Sequence, residues 1–170
     1  MSFYTLAAIA GLFFAGYAIA QFFSTLNADP GDPGDPNVAH DLITPPSAKE
    51  SAMAQAIAAA EGFGGMESDG VTPNVPTRNN NPGDLEADFG WGKDAAGHAI
   101  FPDAQTGWTY LIRQVRLMLT GRSKIYNQNW TFSQVATEYT GNDNADAWAR
   151  NVTSALGIYP STTLAEYAAS

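Results

Sequence analysis

SAKESAMAQAIAAAEGFGG, residues 47–65, is the stretch on which the reading of this chain turns. Ser47 followed three positions later by Glu50 is a capping box, which announces a helix running to Gly62. Met53, Ile57 and Glu61 fall four residues apart and share one stripe of that helix. A carboxylate on a core-facing stripe is partly desolvated, and at a helix C-terminus it also meets the negative end of the dipole. Both effects disfavour ionisation and raise the pKa. A general acid that works near neutral pH needs such a shift. Gly62-Phe63-Gly64-Gly65 leaves open space beside it. The plainer alternative is a helix-terminal glutamate turned to solvent.

Downstream, Asp103 is placed to cap a second helix, with Trp108, Leu111, Ile112, Val115 and Leu119 at 3–4 spacing and Gly121 as its stop. Thr131-Phe-Ser-Gln134 caps a third that ends near Gly141. A fourth carries Ala145, Trp148, Val152, Ala155 and Leu156 up to Gly157, and a short fifth covers Leu164 to Ala168. Between the first and second helices lies a Gly/Asn/Pro-rich stretch. Its extended pieces, Leu85 to Trp91 and His98 to Phe101, predict a small irregular β-hairpin. Helices around a hairpin make an α+β domain over residues 47–170.

Upstream the composition changes twice. Residues 3–23, FYTLAAIAGLFFAGYAIAQFF, are uncharged. At about 1.5 Å per residue they span about 30 Å, the thickness of a bilayer's hydrocarbon core. Residues 1–23 are therefore expected to form a transmembrane helix; the rival is a cleaved signal peptide, with Ala18-Ile19-Ala20 as its cleavage site. Residues 24–46 contain the DPGDPGDP run, Asp29 to Pro36, and read as an acidic, Pro/Gly-rich linker. The whole chain of 170 residues carries 8 Lys and Arg against 17 Asp and Glu, a net charge of -9. That balance argues against a nucleic-acid partner, whose phosphates need a basic footprint. Cysteine is absent, which excludes disulfides, thiolate metal sites and cysteine nucleophiles. His40 and His98 are the two imidazoles, the acids lack calcium-loop spacing, and no metal or other cofactor is expected.

Two further constellations carry chemistry. Arg78-Asn79-Asn80-Asn81-Pro82-Gly83-Asp84-Leu85 places three amides before a Pro-Gly turn. Such side chains suit the N-acetyl and hydroxyl groups of sugars, and they equally suit an ordinary tight turn. Tyr139-Thr140-Gly141-Asn142 closes the third helix. Trp91, Trp108, Trp130 and Trp148 could stack on pyranose faces, although Trp108 and Trp148, at helical spacing, read as core.

These pieces, with GHAIFP at 97–102, AQTGW at 104–108 and WARNVTSALG at 148–157, resemble a group of small phage and prophage proteins related to the lysozyme-like lytic transglycosylases. The resemblance covers about Ala56 to Leu164, and the RNNNPG run is its most specific element. It implies a lysozyme-like fold and cleavage of the MurNAc–GlcNAc bond of peptidoglycan. Glu61 would be the catalytic acid/base. Arg78, Asn80, Asn81 and Asp84 would line the sugar groove, and Tyr139 would point at the glutamate. The chain departs from the pattern twice: a G-L-M-Q motif is missing, and Asp84 stands where Asn is expected. A lytic transglycosylase needs no second carboxylate, because the sugar's own C6 hydroxyl attacks. A muramidase would recruit one from Asp84, Glu86 and Asp88. The different-class alternative is a non-catalytic structural virion protein. The implied partners are peptidoglycan strands, other virion proteins, and a membrane held through the N-terminal helix. The implied place is a virion inner membrane or the bacterial inner membrane, with the domain facing peptidoglycan.

Overall fold

A computed structural model describes residues 37–170 except Asp88 and Asp143. The expected membrane helix at 1–23 and the DPGDPGDP run lie outside the described residues. Among the described residues no helix is long and apolar enough to cross a membrane.

The domain is mostly helical. In chain order its helices are α1 (Val38–Ile43), α2 (Ala48–Ala60), α3 (Val75–Arg78), α4 (Ala104–Leu119), α5 (Phe132–Tyr139), α6 (Ala145–Leu156) and α7 (Leu164–Ala169). Local chemistry sets their starts. Ser47 Oγ accepts the Glu50 N–H while the Glu50 carboxylate accepts the Ser47 N–H at 2.7 Å. Thr131 with Gln134, and Thr163 with Glu166, repeat the device for α5 and α7. Asp103 caps α4 by accepting the Thr106 N–H. Gly157, at φ 67°, ends α6 in the left-handed conformation that suits glycine.

Alanine-rich α2 lies against α4 and α6; α5 packs on α6, and α1 and α7 pack on α4. Met53, Ile57, Leu111, Val115, Val135 and Val152 are fully buried between them. A second cluster joins Phe101 and Tyr110 to Val38 and Leu42 of α1, with Phe89 and Trp91 packed around it. The expected hairpin does not form a ladder. Among the described residues one isolated bridge, Met66–Pro73, lies between α2 and α3, and the stretch between α3 and α4 carries a single one, Lys93–Ala99. Gly90, Gly92 and Gly97 take positive φ there. Asp94 Oδ1 meanwhile collects the N–H groups of Ala96, Gly97 and His98 into a side-chain-centred turn. Backbone donors spent on that turn are unavailable to a partner strand.

Two helices were not foreseen. α3 is one turn capped by Asn74, with Pro76 inside its first turn. α1 falls within the expected linker, so the folded part described here includes residues ahead of Ser47. Arg116 of α4 explains the attachment. Its guanidinium bonds both Glu50 oxygens at 2.8 and 3.1 Å. It also donates to the carbonyls of Asp41, Thr44 and Pro45. Arg122 grips the Asp41 carboxylate in a fork at 2.8 and 3.0 Å.

Candidate active site

Glu61 is the C-cap of α2 and is half-buried. It opens into a cleft of about 380 Å³ whose walls include Asp84, Glu86, His98, Tyr139, Trp148 and Asn151. The Trp148 indole N–H donates to Glu61 Oε1 at 2.6 Å. Burial pushes the carboxyl up, and the nearby Asp84 charge adds to this. The indole bond and His98 pull the other way, leaving the pKa at about 7. A carboxyl with that value holds its proton to near neutrality and then gives it up, as a general acid must.

Trp148 is 5% exposed, as its helical spacing implied, yet it also shapes the site. Its ring stacks on Tyr139 with centroids 4.9 Å apart. The Tyr139 hydroxyl donates to the Gly83 carbonyl at 2.6 Å, so its proton is directed at the turn and not at the glutamate. Tyr139 instead ties the Pro82-Gly83 turn to α5 and backs the indole that holds Glu61. The turn packs closely on its neighbours at Gly83, where a Cβ would lie 2.7 Å from Leu111 Cδ1 and 3.1 Å from the tyrosine hydroxyl.

The three amides do structural work. Asn81 is fully buried: its Nδ2 donates to the carbonyls of Leu85 and Ala99 and its Oδ1 accepts the Leu85 N–H. Asn80, at φ 54°, donates to the Phe101 carbonyl at 3.1 Å. Asn79 is buried and donates to Asp94 Oδ2 at 2.7 Å. Neither Asn80 nor Asn81 lines the cleft. Arg78 is exposed, bound to the Pro73 carbonyl and to Glu67 at 3.3 Å, and it too lies away from the cleft. The structure therefore brings Glu61, Asp84 and Tyr139 together and leaves Arg78, Asn80 and Asn81 as scaffold. Of the Tyr139–Asn142 run, Tyr139, Thr140 and Gly141 reach the cleft.

Asp84 sits at φ 46°, a strained conformation for a side-chain-bearing residue. Its Oδ2 lies 3.4 Å from His98 Nε2, and its buried Oδ1 has no hydrogen-bond partner among the described residues. His98 Nδ1 in turn faces Asp94 Oδ2 at 3.3 Å. Burial raises the Asp84 pKa while His98 opposes the rise. Asp94 is held well below the ordinary carboxylate range, chiefly by the Asn79 amide.

Sequence reasoning missed His98, Asn144 and Asn151 as members of the cleft. Asn151 was open to detection, since Trp148 and Asn151 stand three apart on one helix face. His98 was not, because an irregular loop has no period from which to read a side chain's direction. Among the described residues no group of three His, Asp or Glu side chains could hold a metal ion. Comparison with protein-family models, with curated proteins and with solved structures finds no match to this chain.

Proposed function

We propose that this chain is a peptidoglycan-cleaving enzyme of the lytic transglycosylase kind, lysozyme-like in fold, with Glu61 as its acid/base. The observation that carries the reading is the setting of Glu61: a half-buried carboxyl at a helix end, fixed by an indole N–H, opening into a polar cleft. In this mechanism Glu61 protonates the glycosidic oxygen between MurNAc and GlcNAc. The C1–O bond breaks through an oxocarbenium-like state. The MurNAc C6 hydroxyl then bonds to C1, loses its proton, and closes a 1,6-anhydro ring. The acid runs from a protonated Glu61, and a pKa of about 7 keeps that form populated at neutral pH.

The resemblance in the RNNNPG run and its companion motifs supplies the substrate class. The apolar, uncharged stretch at 3–23 and the acidic run after it support a membrane anchor and tether for the domain. A tether of this kind raises the local concentration of a wall-cutting domain near its target. A phage-encoded protein acting in entry or lysis, in a virion membrane or the bacterial inner membrane, fits that arrangement. A second reading, hydrolysis by a muramidase of the same cleft, draws on one observation: Asp84 and Glu86 line the cleft together with Glu61.

The test is to incubate the full chain, held in mild detergent, with purified sacculi and to identify the released muropeptides by mass spectrometry. Anhydro-muropeptides that vanish with Glu61→Gln are the expected result. Reducing-end products that vanish in the same variant would favour the muramidase. A folded protein that releases nothing would overturn both readings and leave a structural virion component.

A further inference from the structure

The Glu61 cleft continues past its own walls. A second recess of about 260 Å³ opens beside it, and the two share Asp84, Glu86, Tyr139 and Gly141. The chemistry assigned to Glu61 leaves this recess unused. Part of its lining is apolar: Leu85 and Phe89 come from the irregular loop, and Ile125, 58% exposed, comes from the segment between α4 and α5. Its charges are all of one sign. Glu86 and Glu138 join Asp84, and no Lys, Arg or His stands among the described residues that line it.

Carboxylates on a wet surface are ordinary, but the tyrosine beside these is not. Tyr126 is only 9% exposed, with its ring packed against Trp130 and Tyr139. Its backbone N–H bonds Ser123 Oγ, yet its hydroxyl has no hydrogen-bond partner among the described residues. A buried phenol normally finds one. The oxygen keeps some accessible surface, and the residue lines the recess, so a partner can reach it from there. Burial holds the phenol well above its ordinary range, and the charges of Glu138, Glu86 and Glu61 add to the rise. The hydroxyl is thus neutral at any working pH and lies within the field of those carboxylates.

The group that completes such a site is a cationic donor. An anion would be repelled, and a neutral hydroxyl would leave the carboxylate charges unopposed. A primary ammonium brings three N–H donors and one positive charge. It matches the phenol oxygen and the two glutamates, while its methylene stem lies along Phe89 and Ile125.

We infer that this recess is a binding site for an aliphatic primary ammonium group. On the glycan-cleaving reading above, on which the identity of the ligand rests, that group is the free side-chain amine of the diamino acid in the peptide branching from MurNAc. The shared wall lets a sugar occupy the cleft while its branch turns into the recess. Two or three extended residues reach about 7–10 Å, the scale of an adjoining recess. The recess thereby selects uncross-linked stems, because a cross-link at that nitrogen turns the ammonium into a neutral amide.

Two measurements test this, both on the full chain in mild detergent. The first is calorimetric titration with N-acetylmuramyl-L-alanyl-D-isoglutaminyl-L-lysinamide, and with the same compound acetylated on its side-chain amine. Wild type is compared with Glu138→Gln and Tyr126→Phe, since both residues line the recess and not the Glu61 cleft. Thermal melts confirm that each variant is folded. Wild type is expected to bind the free amine about tenfold more tightly than the acetylated form, the range of a charge-assisted contact. Glu138→Gln is expected to lose most of that ratio, and Tyr126→Phe to narrow it about threefold. The second measurement is muropeptide release from sacculi before and after acetylation of their free amines. Acetylation is expected to raise the wild-type KM about tenfold with kcat kept, and Glu138→Gln to treat the two kinds of sacculi alike.

A wild type that fails to distinguish the two compounds, or a ratio unchanged in Glu138→Gln, overturns the inference and leaves the role of Glu61 standing. A loss of release in the variants that is equal on both kinds of sacculi assigns the recess to the glycan strand and overturns it likewise. A wild type that releases nothing yet separates the two compounds overturns the glycan-cleaving reading and upholds the ammonium site.

Discussion

At the scale of single residues, Glu61 ties acidity to stability in a way that can be measured without substrate. Its folded pKa of about 7 lies above the 4.5 of an ordinary glutamate, so the folded state holds a proton that the unfolded chain has released. Stability linked to that proton is present below about pH 4.5 and is lost as pH rises through about 7. Glu61→Gln, which keeps an oxygen for the Trp148 indole, is therefore expected to melt about 2–5 °C higher than wild type at pH 8 and equally at pH 4. The same substitution is expected to abolish muropeptide release, and wild-type kcat/KM is expected to fall as pH rises above about 7. Trp148→Phe tests the other half of the geometry. The indole bond lowers the Glu61 pKa, so its loss is expected to move the alkaline limb of the pH profile upward. Fluorescence-monitored melting across pH reads the first expectation, and rate profiles read the second.

At the scale of elements, the motifs prove to be joints. The RNNNPG turn is held from three sides: Asn81 ties it to the loop, Tyr139 ties it to α5, and α4 lies beneath it. Gly107, in the AQTGW run at the start of α4, meets the turn where a Cβ would clash with the Asn80 carbonyl and lie 2.8 Å from Pro82 Cδ. Gly107→Ala is expected to destabilise the fold by about 1–3 kcal/mol in urea titration, the range for overpacking a tight contact. Asn81→Ala is expected to cost about 2–4 kcal/mol, since it removes three hydrogen bonds in a buried site and takes this partner from the Ala99 carbonyl and the Leu85 N–H. Capping boxes and 3–4 spacing made α2, α4, α5, α6 and α7 readable, because those signals are local. The loop between α3 and α4 was not readable, because its shape is set by contacts among Asn79, Asp94 and Ala99 that no periodicity encodes. The three asparagines were misread for a related reason. Side chains suited to binding a sugar amide are equally suited to binding a backbone amide, and only the fold decides which is nearer.

At the scale of the whole molecule, the described residues form a helical body closed at one end by α1 and the residues that follow it. Asp41, Glu50, Arg116 and Arg122 form that closure, with Arg116 only 6% exposed. A chain shortened to begin at Ser47 would leave Arg116 with Glu50 alone and would uncover Phe101 and Tyr110. Such a chain is expected to be destabilised by about 2–5 kcal/mol against one that begins at Asn37, as read by chemical denaturation. Val38 and Leu42, four apart, were visible in the sequence, yet their neighbours Asp35 and Pro36 pulled the reading toward a linker. A six-residue helix carries too short a pattern to outweigh its surroundings, and its partner Arg116 lies far along the chain.

The closure by Arg116 also bears on mechanics. Anything that pulls on the chain ahead of residue 37 loads α1 first, and from there the force passes through guanidinium contacts into α4 and the first turn of α2. Glu61 stands at the opposite end of α2, thirteen residues beyond the capped start of that helix. Tension along a leash would thus be dissipated at a charged clamp on the far side of the domain, and the cleft would keep its shape while the body is tugged.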